Sequence, residues 1–340
     1  MPADPTPLPP EELDRIYRTF IRPLLFDPAP SDSGAPPTLV LLGGQPGAGK
    51  SRASARLVAE HDDLRAVLSG ADLRIFHPDY RRLVTSDPER AGPVLAEVTR
   101  NWVRAAIQDA LANRHSLLLE GSFGDPDATL ATADRFRRDG FHVRIVAIAS
   151  PPVLSLVTAA SRYLRNVRAD VPARFTRLSA HQRGYDGTTR LIDSLDATTT
   201  ADRVTIVSRS GHILYDHRRA AKEALPSGMR QALEEGRHPP SWGARSTMEL
   251  LGELKQITTY AISSGRLTPE VRDLLAAAHT LALEEVVTRL SIDADSPQAR
   301  FIHQSVLEQS VALGRADTSD LAPAAITPPE PAPDVGGIER

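Results

Sequence analysis

Residues 38–51 read TLVLLGGQPGAGKS, and this stretch decides the fold. Thr38 to Leu42 form a short run that is apolar at nearly every position, the pattern of a strand covered on both faces rather than one. The run leads straight into Gly44-Gln45-Pro46-Gly47-Ala48-Gly49-Lys50-Ser51, which fits the spacing G-x-x-x-x-G-K-[ST]. The helix-competent segment SRASARLVAE follows. A strand, a glycine turn and a helix in that order let backbone N–H groups converge on phosphates, helped by the partial positive charge of the helix N-terminus. In such a loop Lys50 lies along the β- and γ-phosphates as a point charge, and the Ser51 hydroxyl ligates Mg²⁺. The octet from Gly44 to Ser51 is therefore the expected site for a nucleoside triphosphate, ATP or GTP, with Mg²⁺ as its companion.

Working outward, strands and helices alternate. Lys50 to Glu60 reads as a helix, Val67-Leu68 as a short strand, and Pro93 to Asn113 as a long helix. HSLLLEGS is a second buried strand, and Asp127 to Asp139 a helix closed by Gly140. FHVRIVAIAS is a third strand, followed by helices over 151–168 and 179–195. RVTIVSRSGHILYD reads as two strands around a Ser-Gly turn. Apolar strands separated by helices imply βαβ crossovers, so the expected fold class is α/β: a P-loop NTPase-type, mostly parallel sheet with helices on both faces. Beyond about residue 219 the strand pattern ends, and two amphipathic helices follow, the second announced by Thr268, Pro269 and Glu270. Four segments are expected: 1–37, an N-terminal helix and Pro-rich linker; 38–218, the α/β unit; 219–318, a helical extension; and 319–340, a disordered Pro-rich tail.

The bulk properties set limits. The chain has 340 residues, a formal net charge of -3 and no cysteine, so a disulfide framework, a thiolate nucleophile and a Cys-ligated zinc are excluded. The slightly acidic balance argues against nucleic acid as a partner. The N-terminus lacks a cationic segment followed by an apolar one, and no apolar run reaches membrane-spanning length. A cytoplasmic protein without a membrane partner is the expectation.

Several side chains carry chemistry that phosphoryl transfer needs. Glu120 ends the LLLEG strand, at the edge where ligands collect in open α/β sheets, and Ser122 follows it. Both are candidates for contact with a small-molecule acceptor. Asp72, just past the Val67-Leu68 strand, could orient and deprotonate an acceptor hydroxyl, or could simply cap a helix. Arg162 and Arg165, and Arg174 and Arg177 beyond them, offer positive charge for the moving phosphoryl group.

Taken together, GGQPGAGKS, DLRIFHPDY, LLLEGSF, SRYLRNV and ARFTRLSAHQRGYD resemble the zeta toxin family, in its order and at about its spacing, over about residues 38 to 218. The resemblance implies a kinase of a bacterial toxin–antitoxin system, with an antitoxin protein as partner, that phosphorylates a sugar hydroxyl of UDP-N-acetylglucosamine. It also implies roles for Lys50 and Ser51 at the nucleotide and Mg²⁺, for Arg162 and Arg174 at the phosphates, and for Ser122 at the substrate. The register departs from the family at three places. Ala71 stands where the catalytic aspartate falls, with Asp72 beside it; Arg104 replaces a glutamate that faces the sugar, and Gly124 replaces a basic residue. Two other readings therefore stand beside a zeta-type kinase: a related kinase with another acceptor, and a nucleotide-binding protein of weak or no activity that acts through a partner.

Overall fold

The computed structural model describes residues 8–26, 35–61, 64, 66–86, 88–195, 198–219 and 227–316. Most of the linker from Asp27 and the whole of the expected tail over 319–340 lie outside the described residues, as do residues 1–7.

Six strands form one sheet in the order β2-β3-β1-β4-β5-β6. They are β1 (Thr38–Gly43), β2 (Ala66–Ser69), β3 (Leu117–Glu120), β4 (His142–Ala149), β5 (Arg203–Ser208) and β6 (Ile213–Arg218). The first five pair in parallel, and β6 turns back antiparallel on β5 through the predicted Ser-Gly turn. This is the expected mostly parallel sheet. Its strand sequences explain it: every residue of β1 after Thr38 is buried, as is every residue of β4 after His142.

The helices are α1 (Pro10–Ile16), α2 (Arg22–Phe26), α3 (Lys50–Glu60), α4 (Tyr80–Ser86), α5 (Pro88–Ala112), α6 (Pro126–Arg138), α7 (Pro152–Arg168), α8 (Leu178–Leu195), α9 (Met229–Arg237), α10 (Ala244–Ser263), α11 (Pro269–Leu281) and α12 (Pro297–Arg315). The predicted N-terminal helix is present, beginning at Pro10, with a π-helical turn at Tyr17–Ile21 joining α1 to α2. Helix α5 starts ahead of the expected Pro93, which sits inside it. The apolar cluster of Leu83, Val84, Ala91 and Leu95 packs α4 on α5 and supports the turns before it. The Thr268 start signal holds, its side chain accepting from the Val271 N–H ahead of α11, and Asp125 caps α6 in the same way by accepting from the Ala128 N–H.

One apolar core lies on the sheet face covered by α5, α6, α8 and α9, with Trp102, Phe136 and Leu191 fully enclosed. A second core joins α7 to the C-terminal helices: Val153, Leu156, Ala160 and Leu164 meet Leu250, Leu254, Ile257 and Leu274. The apolar stripe of α10 is thus spent on packing against the α/β unit. Among the described residues no helix is long and apolar enough to cross a membrane.

Candidate active site

Register places the site. Leu42 pairs with Glu120, and Ser69 pairs with the same residue on the other side of β3. The segments leaving β1, β2 and β3 therefore emerge together at the carboxyl edge of the sheet, where the chain diverges to either side of β1.

The loop after β1 is held by backbone contact. Gly47 has φ of +83°, and a Cβ built on it would fall 2.0 Å from the Ser155 carbonyl oxygen of α7. Only glycine fits there. The Gln45 side chain is fully buried and donates to the Ser150 carbonyl at 2.8 Å and to Ser155 Oγ at 3.2 Å. Ser155 Oγ lies 2.7 Å from His181 Nε2, and burial, then Lys50 and Arg237, press that imidazole down to about 4. His181 is therefore neutral at ordinary pH and fixes the loop from below. Ala48 is fully buried as well. So Gly44, Gln45 and Ala48 shape the loop, whereas Pro46, Gly47, Gly49, Lys50 and Ser51 line a cavity of about 550 Å³ in front of it.

Asp72, Glu120, Ser122, Arg162 and Arg174 line the same cavity. Asp72 opens a 3₁₀ turn (Asp72–Phe76) just after β2, and Ala71 also reaches the wall. Ser122 is brought there by a tight bend at Phe123, which takes a left-handed φ of 54°. The Phe123 ring presses on Gly43, where a Cβ would come within 2.2 Å of it. Helix α8 braces both loops through small residues: a Cβ at Gly184 would lie 3.0 Å from Gln45 Cα, and one at Gly187 would lie 2.1 Å from the Phe123 carbonyl.

The cavity is rich in cations. Lys50 donates to the Gly44 carbonyl at 2.8 Å, and burial, then the charge of Arg174, lower it to about 8, with Glu120 opposing. Lost hydration, then the neighbouring Arg74 and Arg162, bring Arg174 down to about 10 while Asp72 pulls the other way. Burial also lowers Arg162, again against Asp72. Lost hydration leads each of the three shifts, and repulsion between cations adds to those of Lys50 and Arg174, so a polyanion set among them would favour their charged forms.

Three arginines in the wall go beyond those the sequence marks: Arg52 in the first turn of α3, Arg74 and Arg209. Arg74 lies inside the DLRIFHPDY element, which was the signal available. Arg209, on the turn between β5 and β6, donates Nη2 to Thr158 Oγ1 at 3.0 Å and Nη1 to the Gly47 carbonyl, across the glycine loop. No motif marks it. Two other candidates fall elsewhere. Arg165 is taken by Glu253 of α10, with Nη2 at 2.7 Å from both carboxylate oxygens, and Arg177 lines a separate groove between α8 and α11. Arg104 is exposed on α5 and bonds to Asn101, so it too lies off the cavity wall.

The family model described as "Zeta toxin" matches residues 25–220. "Toxin zeta" of Enterococcus hirae is 25% identical over 181 residues, covering 53% of this chain and 63% of that protein. "Toxin PezT" of Streptococcus pneumoniae is 28% identical over 135 residues, covering 38% of this chain and 52% of the relative. The chain thus spans less than two thirds of the length of these curated relatives. A structure of the PezAT chromosomal toxin–antitoxin system of Streptococcus pneumoniae shares the fold with a TM-score of 0.61 at 21% identity, over 75% of this chain and 98% of that one. Since the family match takes in more than half of its length, the chain belongs to the zeta toxin family.

Proposed function

We propose that this protein is a P-loop phosphotransferase that moves the γ-phosphoryl group of ATP or GTP to a hydroxyl of a small molecule. One observation carries the reading: a single cavity holds a glycine loop with Lys50, a set of arginines, and two carboxylates, Asp72 and Glu120. A triphosphate supplies the anionic charge that the cations lack and the phosphoryl group to be transferred. Backbone N–H groups of the loop and Lys50 would hold it, while Arg162 and Arg174 face the charge that spreads over the moving group. Ser51 and Glu120 offer the hard oxygen donors that suit Mg²⁺. Asp72 would take the acceptor proton in place of the aspartate that Ala71 lacks, and Ser122 would orient the acceptor.

Family membership makes UDP-N-acetylglucosamine the first acceptor to try, and it makes an antitoxin protein the expected partner. A cytoplasmic location, where nucleoside triphosphates are abundant, goes with this reading. Ala71 favours a second one, a nucleotide-binding protein without turnover. The two separate when γ-labelled ATP or GTP is incubated with Mg²⁺ and a panel of UDP-sugars. Label on UDP-N-acetylglucosamine supports the zeta-type reaction, and label on another sugar changes the acceptor. Binding with no labelled product, even from a metabolite extract, supports the second reading.

A further inference from the structure

A second cavity, of about 880 Å³, opens beside the first. Arg52, Thr158, Arg162 and Arg209 line both. Its far wall is Trp242, Ser246, Glu249, Leu250 and Glu253, all from the helical extension and all beyond the residues that the family model matches.

The first cavity has a direction. Asp72 follows β2, Glu120 ends β3 and Ser122 follows it, whereas Arg209 follows β5. In the sheet β3 and β5 are separated by β1 and β4, so the two ends lie roughly 14 Å apart at the usual strand spacing. A triphosphate whose γ-phosphate meets the carboxylates must send its nucleoside out at the Arg52 and Arg209 end. The second cavity begins there.

We propose that the second cavity takes the base and ribose of the nucleoside triphosphate, which makes the C-terminal extension part of the nucleotide site. This rests on the reading of the first cavity as the phosphate site. The chemistry of the walls fits: Leu154, Val157, Trp242 and Leu250 give apolar surface for a flat ring, and Ser246 and Glu249 give polar groups at the rim. The wall is also fixed in place. Glu253 binds Ser161 and Arg165 of α7, the helix that carries Arg162 into the first cavity. Trp242 is held by backbone bonds to Arg289 and Ser291, and its buried indole Nε1–H has no hydrogen-bond partner. A smaller cavity of about 110 Å³, rimmed by Arg56 and Ile213, also meets Arg52 and Arg209 and is the competing place for the base.

The test is calorimetric titration of the full chain with ATP, GTP and inorganic tripolyphosphate. Ser246 is exposed on α10, so Ser246→Trp can fill the groove without disturbing the core, which a melting curve verifies. The expected result is nucleotide binding weakened about tenfold or more, with tripolyphosphate binding changed less than about twofold. Met248→Trp, across the axis of the same helix, should alter neither. Unchanged nucleotide affinity in Ser246→Trp overturns the proposal. So does a selective loss of nucleotide binding in Ile213→Trp, which places the base in the smaller cavity. If the wild-type chain binds neither nucleotide nor tripolyphosphate, the phosphate-site reading itself fails and this proposal falls with it.

Discussion

The two ends of the main cavity are built differently. The glycine-loop end is set by backbone packing: Gly47 against the Ser155 carbonyl, and buried Gln45 tied to Ser150 and to the Ser155–His181 pair. The carboxylate end is set by side chains arriving from separate elements, Asp72 after β2, Glu120 at the end of β3 and Ser122 just past it. Backbone packing tolerates little variation, so that end keeps its sequence pattern. Side chains converging on open space can be exchanged one at a time. Ala71, Arg104 and Gly124, where the resemblance breaks, all lie outside the glycine loop, and of the three Ala71 lines the cavity.

The comparison breaks most severely if the loop end proves tolerant. Gly47→Ala should abolish nucleotide binding and destabilise the fold by about 3 kcal/mol, because both φ and the contact with α7 forbid a side chain. Titration calorimetry and chemical denaturation would read the two effects. Lys50→Ala should weaken triphosphate binding about a hundredfold by removing a half-buried charge from the phosphates, without loss of fold. Asp72→Asn should slow transfer by about a hundredfold or more while nucleotide affinity changes less than about threefold, as single-turnover kinetics would record. Full transfer in that variant would move the base to Glu120 or elsewhere.

A pH profile sharpens the same contrast. The free protein holds Lys50 at about 8, below its ordinary 10.5. Between those values the unfolded chain binds more protons than the folded one, so stability should rise with pH across that window. Lys50→Met should flatten the rise, as should bound nucleotide, which keeps the ammonium charged. The smallest effect is expected for Arg165→Ala. Its partner is Glu253 rather than the phosphates, and transfer rates should stay within about twofold.

The sequence made the loop end legible because a strand, a glycine spacing and a helix lie in one continuous run. The sheet followed from the same apolar runs, including the antiparallel β6 announced by a Ser-Gly turn. Arg209 was not legible: it reaches the loop from a turn far along the chain, and a lone arginine in a turn looks like any surface charge. Arg165 shows the converse. It sits one helical turn from Arg162 on α7, and only the packing of α10 decides that it faces Glu253. Helix α12 carries the same start signal as α11, a Ser-Pro in place of Thr-Pro, yet its weaker apolar stripe hid it.

The division of labour between the two ends is tested most directly by γ-phosphate transfer into a bacterial metabolite extract, comparing wild type, Lys50→Ala and Asp72→Asn side by side. Labelling of a small molecule by the wild type, lost in Lys50→Ala with binding and in Asp72→Asn without it, is the result expected. Nucleotide binding with no labelled product, or labelling that survives both substitutions, would contradict it.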